Sequence, residues 1–195
     1  MDLLVTYLKQ WHTLLTNFAL EGSFESAIFS VITNNKSNQY ITQLNNQLKV
    51  YSYDSLPKIE TINSSSQIKS AAYSSRNETI YLNKNWLSEA NPNNIFDVLT
   101  EELGHHIDYK SNSKDTPGDE GFLFAAKLFK KELSKQSLEL ASVEGDQKLI
   151  TINGDSHLVE QNSMFETRFL QDNVNEDGEI VLEIYLTTAP SHPVK

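Results

Sequence analysis

Carboxylate and imidazole side chains are concentrated between Asn93 and Glu120 more than in any other part of the sequence. Glu101 and His105 are four residues apart there, and Glu102 and His106 repeat the same spacing. The apolar residues of this stretch recur every three or four positions, which is typical of a helix with one buried side. They are Ile95, Phe96, Val98, Leu99, Leu103 and Ile107. Because a helix advances about 100° per residue, each acid shares a face with the histidine one turn later.

This spacing suits metal binding, since a carboxylate and an imidazole on one edge of a rigid helix can chelate a divalent ion. We predict Glu101 and His105 as the first two ligands. The zinc peptidase motif H-E-x-x-H uses the same geometry, with two His as zinc ligands and the Glu between them as general base for a water molecule. Here Glu101 stands where the first His would be, and Glu102 is the predicted general base. Gly104 leaves room for another element to approach closely.

A third ligand is predicted at the start of the next helix. Thr116 followed by Pro117 fits a helix N-cap and the first helical residue, so Asp119 and Glu120 fall in the first turn. The polar link SNSKDTPGDE lets this helix fold back, which brings the Glu120 carboxylate to the first two ligands from the opposite side. Asp119 is the rival candidate. The alternative is that both acids only stabilise the helix N-terminus through its dipole.

The predicted ligands Glu101, His105 and Glu120 bear on the identity of the ion. Two carboxylates with one imidazole lower the Lewis acidity felt by bound water, and they accept hard ions more readily than a two-His site does. We expect Zn²⁺, with Mn²⁺ or Ca²⁺ as alternatives. Asp108, one turn beyond His105, is predicted to hold a ligand imidazole or a backbone N–H, and Asp119 is given a similar supporting role.

Four segments in order resemble a zincin-type domain found in the N-terminal parts of large bacterial proteins that carry calcium-binding repeats. They are LPKIETI, AAYSSRNETIYLNKNWL, VLTEELGHHIDYK and DTPGDEGFLFAAKL. That family carries E-E-x-G-H-x-x-D followed by D-x-P-G-D-E-G, so Glu101 follows the family's own pattern. More distantly, this order is similar to the anthrax lethal factor type of zinc peptidase. The resemblance covers Leu56 to Gln161 and implies a zincin-like metallopeptidase domain.

The remaining elements predict an α+β fold, in which a small mixed or antiparallel sheet packs on the two site helices. Helical periodicity predicts N-terminal helices that start at Leu3 and at Ser23. Alternation and β-branched residues predict strands at Leu48–Tyr53, Lys58–Ile62 and Ala71–Leu82, the last in two pieces joined by a turn. These elements must position the site residues described above.

The strand just ahead of the site helix has a predicted role in substrate binding. The zincin resemblance implies that this strand lies at the sheet edge and holds an extended peptide by main-chain pairing. Its residues are Thr79, Ile80, Tyr81, Leu82 and Asn83. The alternative is an ordinary strand inside the sheet.

Two β-hairpins are predicted after the site helices. Asn153-Gly154, between Lys148–Ile152 and His157–Glu160, is a two-residue hairpin signal. A second hairpin is predicted to join Phe165–Leu170 with Ile180–Thr187. We divide the chain into a helical segment (1–47), a zincin-like core (48–145), a hairpin region (146–188) and a tail (189–195).

Composition limits the possible partners. The 195 residues suffice for one domain with a hydrophobic core, and the formal net charge of -10 argues against nucleic-acid binding. We expect a peptide or protein substrate. No Cys is present, and no apolar run is long enough to span a membrane. The N-terminus lacks the pattern of a signal peptide, so we expect a cytoplasmic protein or export by a leaderless route.

These observations predict a metal-dependent peptidase in which Glu102 activates water. Tyr109 and Tyr73 are the candidates for stabilising an oxyanion. The alternative is a zincin-shaped binding or adaptor module without catalysis, in which the acids and histidines form a buried polar network. A lesser alternative is a secreted effector or toxin protease.

Overall fold

The computed structural model describes residues 3–32, 39–63, 67–112, 116, 118–143, 147–152 and 154–161. The described residues form seven helices and five strands, which confirms the predicted α+β class. The helices are α1 (Leu3–Glu21), α2 (Ser23–Val31), α3 (Gln39–Lys49), α4 (Lys84–Glu89), α5 (Pro92–Ser111), α6 (Glu120–Leu128) and α7 (Lys135–Val143). The strands are β1 (Lys58–Ile62), β2 (Ala71–Ser74), β3 (Thr79–Asn83), β4 (Gln147–Ile152) and β5 (Asp155–Gln161). Among these helices, none combines the length and apolar character that a membrane crossing requires.

The five strands form one mixed sheet in the order β1-β3-β2-β5-β4. β1 runs parallel to β3, and the other neighbouring strands are antiparallel. Both edges of β3 are therefore paired, and all five of its residues are buried. The prediction that Thr79–Asn83 lies at the sheet edge and binds an extended peptide is wrong, because β1 occupies the edge that a peptide would need.

The predicted strand at Leu48–Tyr53 is instead the end of α3 and the turn after it. Leu48 is buried and continues the apolar stripe of α3, so its period is helical. Tyr51 has a φ of 60°, and the turn closes with hydrogen bonds from Tyr51 N to Leu48 O (3.1 Å) and from Ser52 N to Gln47 O (3.0 Å). This is the Schellman pattern that ends many helices.

α5 is the central helix of the fold and is buried on nearly all sides. It begins at Pro92, and the side chain of Asn91 caps it by accepting a hydrogen bond from Asn94 N (2.9 Å). It contacts α1, α3, α6, β2 and β3. Trp11 of α1 donates its indole N–H to the Thr100 hydroxyl at 3.0 Å. The acids and histidines of α5 therefore face other protein groups instead of bulk water.

α5 and α6 cross at two glycines. A Cβ atom on Gly104 would lie 2.7 Å from Gly121 Cα, and one on Gly121 would lie 2.6 Å from Glu101 O and 2.7 Å from His105 Nε2. Real Cβ atoms do not approach backbone this closely, so each position needs a glycine for the observed helix separation. The crossing brings the first residue of α6, Glu120, against α5.

β4 and β5 form the predicted hairpin, with Ile152 opposite Asp155. Gly154 has a φ of 92°, which a hairpin loop of this length favours. β5 also pairs with β2, so the hairpin extends the sheet. The predicted second hairpin (Phe165–Leu170 with Ile180–Thr187) and the 189–195 tail lie outside the described residues.

Candidate metal centre

His105 on α5 and Glu120 on α6 are in direct contact. The Nδ1 atom of His105 lies 2.8 Å from Glu120 Oε1, and the two side chains are only 1% and 3% exposed. Their meeting follows from the glycine crossing, which sets the first turn of α6 on the face of α5 that carries His105. The sequence-based expectation that Glu120 folds back onto this imidazole agrees with the structure.

Glu160 on β5 reaches the same imidazole from a third element. Its Oε2 atom lies 2.9 Å from His105 Nδ1, and the side chain is 14% exposed. In the sequence, Glu160 is only the last residue of a predicted strand. No local signal marks it, because its direction depends on the pairing of β5 with β2, where Glu160 stands opposite Tyr73.

The described acids and histidines form two overlapping groups that share His105. In one group, ligand atoms of Glu101, His105 and Asp119 lie within 4.8 Å of one another; in the other, those of His105, Glu120 and Glu160 do. The predicted ligands Glu101 and Glu120 are thus both near His105, but each belongs to a different group. Asp119, the rival candidate, joins the group of Glu101.

Asp119 is also the N-cap of α6. Its Oδ1 atom accepts a hydrogen bond from Phe122 N (2.9 Å), and Glu120 is the first helical residue. The prediction of Thr116 as the N-cap is therefore wrong, and Pro117 lies outside the described residues. The helix starts later because Gly118, just before Asp119, has a φ of 101°, which lies outside the helical range.

Asp108 forms hydrogen bonds with the segment that connects α5 to α6. Its carboxylate accepts hydrogen bonds from the Thr116 hydroxyl, from Thr116 N (3.2 Å) and from Asn112 Nδ2 (2.6 Å). All three residues are buried. Of the two supporting roles predicted for Asp108, the structure shows the hydrogen bond to a backbone N–H, which positions the start of α6.

His106, the next residue after His105, belongs to a separate network. The hydroxyl of Tyr40 donates its proton to Ser55 O (2.9 Å), so its oxygen must accept from His106 Nε2 (2.9 Å). His106 Nδ1 is then the acceptor for the Tyr73 hydroxyl, also at 2.9 Å. Burial lowers the pKa of His106 to about 4, so the ring is neutral at neutral pH. The Tyr73 proton is directed at this ring, which argues against Tyr73 as an oxyanion donor.

His105, unlike His106, lies beside two carboxylates, those of Glu120 and Glu160. Burial alone would lower its pKa, but Glu120 and Glu160 outweigh that effect and hold the pKa well above its ordinary value. Burial raises the pKa of Glu120 to about 7, against the opposing effect of His105 and with further raising by Glu160 and Asp108. The His105 imidazole therefore lies between two carboxylates that favour its charged form.

The donor chemistry of this cluster fits a divalent metal ion. Imidazole nitrogen and carboxylate oxygen are ordinary ligands of Zn²⁺ and Mn²⁺. Two donors at about 2.1 Å from a tetrahedral zinc ion lie about 3.4 Å apart. The 2.8 and 2.9 Å contacts of His105 with Glu120 and Glu160 would have to open by only about half an ångström to reach that separation. The buried cluster can therefore hold a metal ion.

Glu102, the predicted general base, is fully buried within α5. Glu101 and His105 are each 1% exposed, so the site as a whole has almost no direct access to solvent. Tyr109, the second oxyanion candidate, is 47% exposed at the surface of α5. Comparisons of the chain with protein-family models, curated proteins and solved structures found no match.

Proposed function

We propose that this protein is a metal-dependent hydrolase of the peptidase type. The observation that carries the proposal is the 2.8 Å contact between His105 and Glu120, because it joins an imidazole and a carboxylate from two helices within a buried cluster of further acids. His105 and Glu120 would hold the ion, and Glu101, which lies near His105 in the other group of ligand atoms, is the proposed third ligand. When bound, a divalent ion would polarise a substrate carbonyl and lower the pKa of a water molecule.

Glu102 has the position of a general base in this proposal. It lies on α5 beside Glu101 and three residues before His105, in the order that the H-E-x-x-H motif uses for its catalytic Glu. Its carboxylate would accept a proton from the attacking water and pass it to the leaving amine. Its burial would exclude bulk water from this transfer.

The motif resemblance supports the same proposal. Gly104 belongs to the string E-E-x-G-H-x-x-D and Gly121 to the string D-x-P-G-D-E-G. These two glycines face each other at the crossing of α5 and α6. Two segments that are separate in sequence thus meet through the residues that their motifs specify, as expected if both motifs serve one site.

The second candidate function is a non-catalytic binding module on the same scaffold. It is favoured by the near-complete burial of Glu101, Glu102 and His105, which leaves a substrate no direct route to the site. It is also favoured by the His105 ring, which already lies between two carboxylates. A self-contained ionic network of this kind can join helices and a hairpin without any ion.

Elemental analysis separates the two functions. Protein purified without chelators should carry close to one equivalent of a divalent transition metal, and His105→Ala should carry none. Glu102→Gln should retain the metal and lose hydrolysis of an unfolded test protein such as labelled casein. Exposed Glu139→Gln is the matched control and should change neither property. Absence of metal from the wild-type protein, even after incubation with Zn²⁺ or Mn²⁺, would leave only the binding module.

A further inference from the structure

We propose that Glu160 is a further protein ligand of the ion held by His105 and Glu120, so that the ion joins the β4–β5 hairpin to the two site helices. This inference rests on the metal-binding part of the proposed function. It adds a residue from outside the two site helices and gives the hairpin a role that depends on the ion.

The geometry places Glu160 as close to the imidazole as Glu120. Its Oε2 atom is 2.9 Å from His105 Nδ1, and Glu120 Oε1 is 2.8 Å from the same atom. One ligand atom from each of the three residues lies within 4.8 Å of the others. Three donors from α5, α6 and β5 therefore lie close enough together to share one ion.

The direction of Glu160 is set by contacts on the opposite face of β5. His157 Nδ1 is hydrogen-bonded to the buried Ser74 hydroxyl at 3.0 Å, and Val159 packs in a small second core with Ala72 and Tyr81. These neighbours hold the register of β5 against β2. Since side chains alternate along a strand, Glu160 must then point to the face that α5 covers, and a slip of one residue would turn it away.

The charge of the cluster also favours a divalent ion. Glu120 and Glu160 carry two negative charges when both are ionised, and a single protonated imidazole balances only one of them. A divalent ion balances both and leaves His105 as a neutral ligand. Buried charge that is not balanced is costly, so the ion would be held more tightly with both carboxylates than with one.

The β4–β5 hairpin lies at one side of the sheet and is attached to the rest of the fold mainly through β5. β4 is the outer strand on its side of the described sheet, and the hairpin is joined to the rest of the sheet through β5. Glu160 on β5 contacts His105 on α5, and His105 in turn contacts Glu120 on α6. An ion that binds all three elements should slow local opening of the hairpin, because that movement would carry Glu160 away from His105.

Glu160→Gln tests the proposal, because the amide keeps the shape of the side chain and removes its charge. Affinity for Zn²⁺, measured by competition with a chromogenic chelator, should fall by at least about tenfold. Glu139→Gln, which removes an exposed carboxylate from α7, should bind Zn²⁺ as the wild type does. In the wild-type protein, Zn²⁺ should also slow amide hydrogen exchange in β5, and Glu160→Gln should lose that protection.

The outcomes distinguish this inference from the proposed function. If wild-type protein binds no metal, both fail. If His105→Ala and Glu120→Gln weaken Zn²⁺ binding while Glu160→Gln does not, the metal site stands and the role of Glu160 is overturned. Zn²⁺ binding without added protection of β5 in the wild type would also overturn it, and that measurement needs no variant to fold.

Discussion

Tyr73 and Glu160 stand opposite each other on neighbouring strands and contact consecutive histidines of α5. The Tyr73 hydroxyl lies 2.9 Å from Nδ1 of His106, and Glu160 Oε2 lies 2.9 Å from Nδ1 of His105. One strand pair thus gives adjacent imidazoles opposite environments. Burial lowers the pKa of His106 and keeps it neutral, whereas two carboxylates favour a cation at His105.

Metal affinity should rise with pH. The pKa of His105 is well above its ordinary value of 6.5, so at neutral pH an ion must displace the proton of the imidazole. Each displaced proton should change the affinity for Zn²⁺ about tenfold per pH unit. Below about pH 7 the slope should steepen, because Glu120 also becomes protonated there. Chelator competition between pH 6 and 8 measures the effect, and an affinity independent of pH would contradict it.

Protonation of His106 should lower the free energy of unfolding of the protein at acid pH. Its pKa is about 4 in the folded protein against 6.5 in the unfolded chain, so between these values the unfolded state binds more protons. Its contribution is present above pH 6.5 and is lost as the pH falls to about 4, and it amounts to roughly 3 kcal/mol. Urea unfolding of wild type and His106→Asn at several pH values isolates this contribution by difference. Equal pH slopes for the two proteins would refute it.

Tyr73→Phe should destabilise the protein through the same imidazole. The change removes the proton donor of buried His106 Nδ1 and should cost about 1–3 kcal/mol in the free energy of unfolding. Tyr51→Phe is the control, since Tyr51 is 63% exposed and should change stability by less than about 0.5 kcal/mol. If Tyr73→Phe is as stable as the control, this hydrogen bond does not stabilise the folded protein.

Gly104→Ala should separate the two site helices. The added Cβ would lie 2.7 Å from the backbone of Gly121, which cannot give way as a flexible side chain can. Overpacking should cost about 1–3 kcal/mol, partly offset by the better helix propensity of Ala, which contributes about 1 kcal/mol. Zn²⁺ affinity should fall too, because Glu120 moves with α6. Exposed Asn93→Ala on α5 controls for propensity, and a more stable Gly104→Ala protein would exclude a tight crossing.

Asp108→Asn should weaken metal binding without removing a ligand. Asp108 holds Thr116 and so positions the start of α6, where Glu120 lies. We expect lower stability together with a Zn²⁺ affinity reduced about tenfold or more. Asp54→Asn, at an exposed turn, is the matched control. Loss of stability with full Zn²⁺ affinity would show that the link does not position the site.

The sequence by itself determined the features that arise within short segments. The period of apolar residues predicted the central helix and placed Glu101 and His105 one turn apart, and Asn153-Gly154 predicted the β4–β5 hairpin. The polar link before Glu120 correctly indicated that α6 folds back onto α5. These predictions succeed because helical period, capping and tight turns depend on neighbours a few residues away.

Only the tertiary structure decided which strands are neighbours. Thr79–Asn83 looked like an edge strand, but β1 pairs with it in parallel from a separate part of the chain. Glu160 looked like the end of a hairpin strand, but its register with Tyr73 directs it to His105. Strand order and register are set by packing between distant segments, and a shift of one residue reverses the side that each residue faces. The sequence alone therefore predicts that β5 forms. Only the pairing of β5 with β2 in the folded sheet brings the Glu160 carboxylate to the site.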